Sequence, residues 1–274
     1  METNRQTGWE RSNRSHFDDF VGNYDAIRPE YPVALFDDVF EYVISDTSKN
    51  ALEIGAGTGK ATTPFLEAGF SVTAVEIGIS MGEFLRNKFI NNRQLNVINS
   101  AFEDALLDES SYDLIYAGSA FHWVDAEIGC PKALSLLKNK GAIALFRYNE
   151  ISIDNKELNE AIQEAYKLYF HKPYIKPAKK ERASFNTPER IQKDYGFSDL
   201  GSYGFTDVTM KLYDVIRTYS ADEFIAFRDT LADHRSLPDG DRAALYSSIK
   251  NAIQKHGGFL NMDYVFQLYM GRKP

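Results

Sequence analysis

The stretch ALEIGAGTGKAT, residues 51–62, places Glu53, Gly55, Gly57 and Gly59 at alternate positions directly after an apolar run. Glycines at this density leave bare backbone that a ligand can approach closely. Three ligand classes compete for such a loop: a nucleoside triphosphate, a dinucleotide, or a nucleoside without phosphate. The phosphate-loop pattern G-x-x-x-x-G-K-[ST] can use Gly59 and Lys60, but its first glycine then falls on Ile54 and its hydroxyl on Ala61. The dinucleotide pattern G-x-G-x-x-G needs a glycine at Lys60 or at Thr62. Both patterns fail, which leaves acid-x-Gly-x-Gly-x-Gly. A glycine-rich turn with no ligand has the same local appearance. Glu76, seventeen residues after Gly59, closes the next apolar run. A carboxylate there can accept hydrogen bonds from both ribose hydroxyls, and it repels a 2′-phosphate. An acid at a helix start is the plainer reading of Glu76; the glycine spacing upstream favours the ribose.

These residues need elements to hold them. Residues 50–54 read as a short buried strand, Thr58 to Ala68 as a helix and FSVTAVEIG as a second strand. Ser80 and Glu83 are predicted to form a capping box opening a helix through Phe89. LNVIN, YDLIYAG and GAIALFRY read as the third to fifth strands, with a helix around Pro131–Leu137 joining the last two. Upstream, Leu35, Phe36, Val39, Phe40 and Val43 share one helical face behind Pro32. Apolar strands alternating with helices predict an α/β fold with a doubly wound, mostly parallel sheet. The alternation breaks after residue 150 and resumes with TMKLYDVIRTYS and MDYVFQLYM, giving seven strands. Ser220 and Glu223 are predicted to cap a helix over 221–232, and Pro238 to His256 a second one ending at Gly257. The predicted organisation is a core of residues 46–150 and 207–274, an N-terminal cap of residues 1–45, and an inserted helical cap of residues 151–206.

The formal charge of −8 over 274 residues argues against a nucleic-acid backbone as partner. One cysteine, Cys130, excludes a disulfide within the chain, and five scattered histidines give no zinc spacing, so no metal is expected. METNRQTGWERSNR has no apolar signal core, and no stretch approaches the roughly 18 apolar residues of a membrane span. A soluble, cytoplasmic protein is expected.

The combination of ALEIGAGTGKAT, VTAVE and SYDLIYAGSAFHWVD resembles the class I S-adenosylmethionine-dependent methyltransferases, which have a Rossmann-like fold. FVGNYDAIRPEYP is similar to the N-terminal segment of the small-molecule branch that includes the trans-aconitate and ubiquinone-type enzymes. The resemblance covers residues 17–149 well and the tail loosely; Ala101 stands where relatives often carry an acid. It implies S-adenosylmethionine as cofactor and a small-molecule methyl acceptor. Its residue roles put Glu53, Gly55, Gly57 and Gly59 around the methionine part and ribose, and Glu76 on the ribose. Ile77 and Met81 would flank the adenine, Phe102 and Glu103 would line its other side, and Ser119 would sit near the sulfonium. Tyr24 and Arg28 would cap the methionine end, Arg28 pairing with its carboxylate; a surface ion pair is the plainer reading of Arg28.

Methyl transfer from a sulfonium chiefly needs alignment and exclusion of water, and a base only for a nucleophile of high pKa. His122, in SAFHWVD, is the first candidate base; Tyr148 and His234 are others that could reach an acceptor. Each histidine has a structural alternative, as a buried loop scaffold or a helix-end residue. The run Lys172, Lys176, Lys179, Lys180 and Arg182 reads as a solvated loop, or else as an attractor of acidic substrates. Tyr166, Tyr169, Phe170 and Tyr174 either line an apolar pocket or pack the cap. AGSAFHW lacks the prolines usual in amino-methylating nucleic-acid enzymes of this fold. Two other functions fit the sequence: a non-catalytic S-adenosylmethionine-binding or sensing module, and a nicotinamide-dependent oxidoreductase, which Lys60 and Thr62 disfavour.

Overall fold

The computed structural model describes residue 25 and residues 27–43, 49–170 and 182–274. Tyr24, most of the predicted N-terminal cap, Tyr174 and the lysines at 172–180 lie outside the described residues. Seven strands form one sheet: β1 Asn50–Ile54, β2 Ser71–Glu76, β3 Leu95–Asn99, β4 Tyr112–Gly118, β5 Leu137–Ile153, β6 Thr206–Ser220 and β7 Phe259–Arg272. Their order is β3-β2-β1-β4-β5-β7-β6. The first five strands are parallel to their neighbours, and β7 runs antiparallel between β5 and β6. The order reverses between β1 and β4, the place where an open α/β sheet forms its binding crevice.

Alternate strand residues face opposite layers, as a sheet covered on both sides requires. Ala51, Leu114, Tyr116, Ala144 and Phe146 pack into one layer, and Leu52, Ile54, Ile115, Ala117, Ile143 and Leu145 into the other. The first layer is closed by helices α1 Val33–Tyr42, α2 Thr62–Glu67, α3 Ile79–Lys88, α5 Lys156–Tyr169, α7 Ala221–Asp229 and α9 Asp239–Lys255. The second is closed by α4 Ala126–Leu136 and α6 Pro188–Tyr195. A short α8, Ala232–Arg235, lies between α7 and α9.

Four boundaries differ from the sequence-based expectation. α2 begins at Thr62 rather than Thr58, because Gly57 and Gly59 hold φ of 54° and 83°, outside the helical region. α3 starts after Gly78, so Ser80 lies in the first turn and forms no capping box. Glu76 fixes that turn early by accepting a hydrogen bond from the Gly78 amide at 2.8 Å. α4 begins at Ala126, capped by Asp125, and carries Pro131 in its interior. The predicted helix 221–232 stops at Asp229, where the Thr230 hydroxyl donates to the Phe227 carbonyl at 2.6 Å. The capping box of Ser220 and Glu223 is present.

The described residues of 151–206 pack on both layers. Their first residues finish β5; α5 then packs on the first layer beside α9, and α6 on the second layer near Phe121 and Phe197.

Candidate functional site

The carboxyl ends of β1, β2, β4 and β5 open into a cleft of about 540 Å³. β1 delivers the glycine loop to its floor. Gly55, at φ 67°, approaches the loop after β4 so closely that a Cβ would lie 2.6 Å from the Ala120 Cβ. Gly57 differs: a Cβ there would meet nothing within 4 Å, because its α-carbon faces open space in the cleft wall. The loop leaves a cradle that any side chain at residue 57 would fill.

Glu76 joins the two loops that frame this cradle. It is 7% exposed; one oxygen accepts from the Gly57 amide at 2.7 Å and the other from the Gly78 amide. A carboxylate has about four acceptor positions, and the two amides use one on each oxygen. Glu53 lies deeper, 1% exposed, accepting from the hydroxyls of Thr62 at 2.5 Å and Tyr116 at 3.0 Å. Burial pushes its pKa up to about 8, against the pull of these two donors.

On the β2 side, Ile77, Met81, Phe102 and Glu103 line the cleft, with Met81 and Phe102 buried. Lys132 sits 5.3 Å over the Phe102 ring and donates to the carbonyls of Glu103 and Ala105 at 3.1 and 2.6 Å, fixing that wall. On the β4 side, Ser119 holds φ at 54°, an uncommon conformation for a residue with a side chain and one that clusters at functional sites. Its amide donates to the Phe146 carbonyl at 2.7 Å, and its hydroxyl accepts from Tyr31 at 3.0 Å. Gly118 makes room for that contact, since a Cβ there would lie 2.9 Å from the Tyr31 hydroxyl.

Arg28 donates to the Tyr148 hydroxyl at 2.7 Å and to the Thr230 carbonyl at 2.8 Å, and so braces the cleft wall. Tyr148 also lines the cleft. His122 does too, packed against Trp123, and its pKa is pushed down to about 3 by burial and by the Arg147 guanidinium. It is therefore a neutral imidazole at physiological pH and a weak base. His234 does not line the cleft: it is 3% exposed, and its two ring nitrogens contact Tyr166 and Asp233.

The structure thus brings together Arg28, Glu53, Gly55, Gly57, Glu76, Ile77, Met81, Phe102, Glu103, Ser119, His122 and Tyr148. Gly59 supports the turn from below, where a Cβ would strike Leu85 at 2.6 Å. Sequence reasoning missed Tyr31, Arg147, Leu231 and Asp233, all in the cleft lining. Arg147 had a signal, a cation inside the apolar run GAIALFRY. It shares the buried Asp194 with Arg190, at 3.7 and 2.6 Å, and its Nε is buried with no hydrogen-bond partner among the described residues. Among the described residues no group of three metal-ligating side chains converges, and no helix is long and apolar enough to cross a membrane.

Residues 52–145 match a family model described as a methyltransferase domain. A Mycobacterium tuberculosis protein named uncharacterized methyltransferase Rv3342 is 32% identical over 129 residues, 47% of this chain and 50% of its own length. The chain spans about half the length of the curated relatives it matches first. Among solved structures, a candidate type II methyltransferase from Anaeromyxobacter dehalogenans shares the fold at a TM-score of 0.63 and 20% identity, over 89% of this chain and 97% of that one. Phosphoethanolamine N-methyltransferase 2 of Haemonchus contortus, solved with S-adenosyl-L-methionine, aligns at a TM-score of 0.52 and 15% identity, over 94% of this chain and 57% of that one. Residues 52–145 are thus similar to a methyltransferase domain, and the chain shares the fold of these two solved methyltransferases.

Proposed function

We propose that the protein transfers a methyl group from S-adenosylmethionine to a small-molecule acceptor. The observation that carries this reading is the cradle at Gly57 beside the buried Glu76, at the end of β2. Glu76 would hold the ribose, Ile77, Met81, Phe102 and Glu103 the adenine, and the glycine loop with Arg28 the methionine end. When bound, the cofactor supplies a methyl group already activated by its sulfonium. The chain's own part is to orient the acceptor and exclude water. The acceptor side would be the β4–β5 half of the cleft, with Ser119, His122, Trp123, Arg147 and Tyr148 as walls. Residues 229–237 and 27–31 reach over it and would act as the cover, with α5 supporting them from behind. A neutral His122 shapes the loop and does not take a proton.

Calorimetry with S-adenosylmethionine, S-adenosylhomocysteine, ATP-Mg²⁺ and NAD tests the cofactor. Binding of the first two and not the others is expected; tighter NAD binding would favour an oxidoreductase. An acceptor screen followed by S-adenosylhomocysteine release then separates an enzyme from a binding module.

A further inference from the structure

We propose that Asp233 is the acceptor-orienting carboxylate of the cleft. It takes a hydrogen bond from an N–H or O–H group of the acceptor, and His234 and Tyr166 are the residues that position it. The proposal rests on the methyltransferase reading above. Asp233 lines the cleft together with Leu231, Tyr148 and Arg28, and Arg28 ties Tyr148 of β5 to the Thr230 carbonyl, three residues before Asp233. Its side chain is 42% exposed, whereas that of the adjoining His234 is 3% exposed, so the pair runs from the cleft into the core.

The contacts form a chain. One Asp233 oxygen is 2.9 Å from the His234 backbone amide and 2.9 Å from its Nδ1. The Nε2 of the same ring is 2.8 Å from the Tyr166 hydroxyl. An ionised carboxylate can only accept, so Nδ1 carries the hydrogen towards Asp233, and Tyr166 completes the ring from the other side. The ring cannot turn: Tyr166 and Phe170 meet it edge-on at 5.6 and 5.2 Å, and Tyr246 stacks on it at 6.2 Å. Apolar side chains could fill this space without the need to satisfy buried polar groups. The arrangement instead yields a carboxylate of fixed orientation at the cleft wall, as a substrate-orienting group requires. An ionised Asp233 side chain can only accept, so the group it binds is a hydrogen-bond donor.

The test uses the full chain saturated with S-adenosylhomocysteine and three panels: small amines, small alcohols and phenols, and carboxylic acids lacking both groups. Ligand-observed NMR reads binding. Hits are expected among the amines or the hydroxyl compounds, and the panel that binds identifies the donor. Asp233→Asn should weaken the best hit about ten- to hundredfold, the worth of a hydrogen bond to a charged group, with S-adenosylhomocysteine affinity unchanged. Tyr166→Phe and His234→Leu should weaken the same hit several-fold at near-parental melting temperature. His234→Asn, whose amide can donate where Nδ1 does, should restore it. Once turnover is found, Tyr166→Phe should raise KM more than it lowers kcat. Three outcomes overturn the proposal: no hit from either protic panel, parental affinity of Asp233→Asn for the hits, or an Asp233→Asn defect confined to S-adenosylhomocysteine, which would assign Asp233 to the cofactor. A parent that fails to bind S-adenosylhomocysteine sinks the underlying reading as well.

Discussion

Three titratable groups in the cleft have distinct expected phenotypes. Glu76→Ala removes the acceptor of the Gly57 and Gly78 amides as well as the proposed ribose partner. It should cost about 1–3 kcal/mol of S-adenosylhomocysteine binding by calorimetry. Gly57→Val should cost more, since it fills the cradle and strains a residue at φ 54°. Parental binding by folded Glu76→Ala would remove the ribose assignment. Glu53 makes stability depend on pH. Its folded pKa of about 8 lies above the unfolded value, so the folded state holds the extra proton between about pH 4.5 and 8. Its contribution is fully present below that window and is lost as pH rises through it, by up to about 1.4 kcal/mol per pH unit. Glu53→Gln should therefore flatten the fall of melting temperature across this range; parallel curves for parent and variant would contradict the burial argument. His122, with a pKa near 3, cannot serve as an efficient base at neutral pH. His122→Asn should lose less than about tenfold in rate once an acceptor is found, and the pH–rate profile should keep its shape. A loss of about 10²–10⁴, typical of a general base, would reverse this assignment.

At the scale of elements, residues 27–31 are tied to four parts of the cleft. Glu30 pairs with Lys60 of the glycine loop, Tyr31 donates to Ser119 after β4, and Arg28 bonds Tyr148 of β5 and Thr230 after α7. A segment with so many partners across a cleft should tighten when the cleft fills. Hydrogen exchange is expected to slow in residues 27–31 and 229–237 on S-adenosylhomocysteine binding, while β1 and β4 stay protected throughout. Unchanged exchange in both segments would show that they form a fixed wall and not a cover.

For the molecule as a whole, α7 is secured to the sheet by an ion pair between a buried Arg228 and a partly exposed Glu150. Arg228, 8% exposed, lies over the rings of Phe224 and Phe227 at 4.5 and 5.2 Å and makes two bonds to Glu150 of β5, at 2.9 and 2.8 Å. Removing Glu150 leaves the buried Arg228 guanidinium without its counter-charge, whereas removing Arg228 leaves Glu150, whose side chain is 28% exposed and can be solvated. Glu150→Leu should therefore lower stability by about 3–5 kcal/mol in denaturant titration, and Arg228→Met by less. The reverse order would mean that the aromatic contacts of Arg228, and not its charge pairing, hold α7 in place.

The strands and the glycine turn were legible because their causes are local. Apolar runs of strand length, alternating with helical periods, leave few arrangements other than a parallel sheet, and Gly55, Gly57 and Gly59 announce a backbone outside the helical region. The same holds for Glu76, whose place at a strand end follows from the run before it. Helix starts were less legible where a tertiary hydrogen bond decides them, as Glu76 does for α3. The acceptor half of the cleft was least legible. Tyr31, Arg147, Leu231 and Asp233 come from four separate stretches of chain, and no local pattern joins them. His234 was singled out as a base from its residue type, yet its burial against Tyr166, Phe170 and Tyr246 turns it away from the cleft. The sequence by itself determined the sheet and the glycine turn, because short-range sterics and strand periodicity fix them. Only the tertiary structure decided which side chains line the cleft and how burial shifts their protonation, because long-range packing and partners set both.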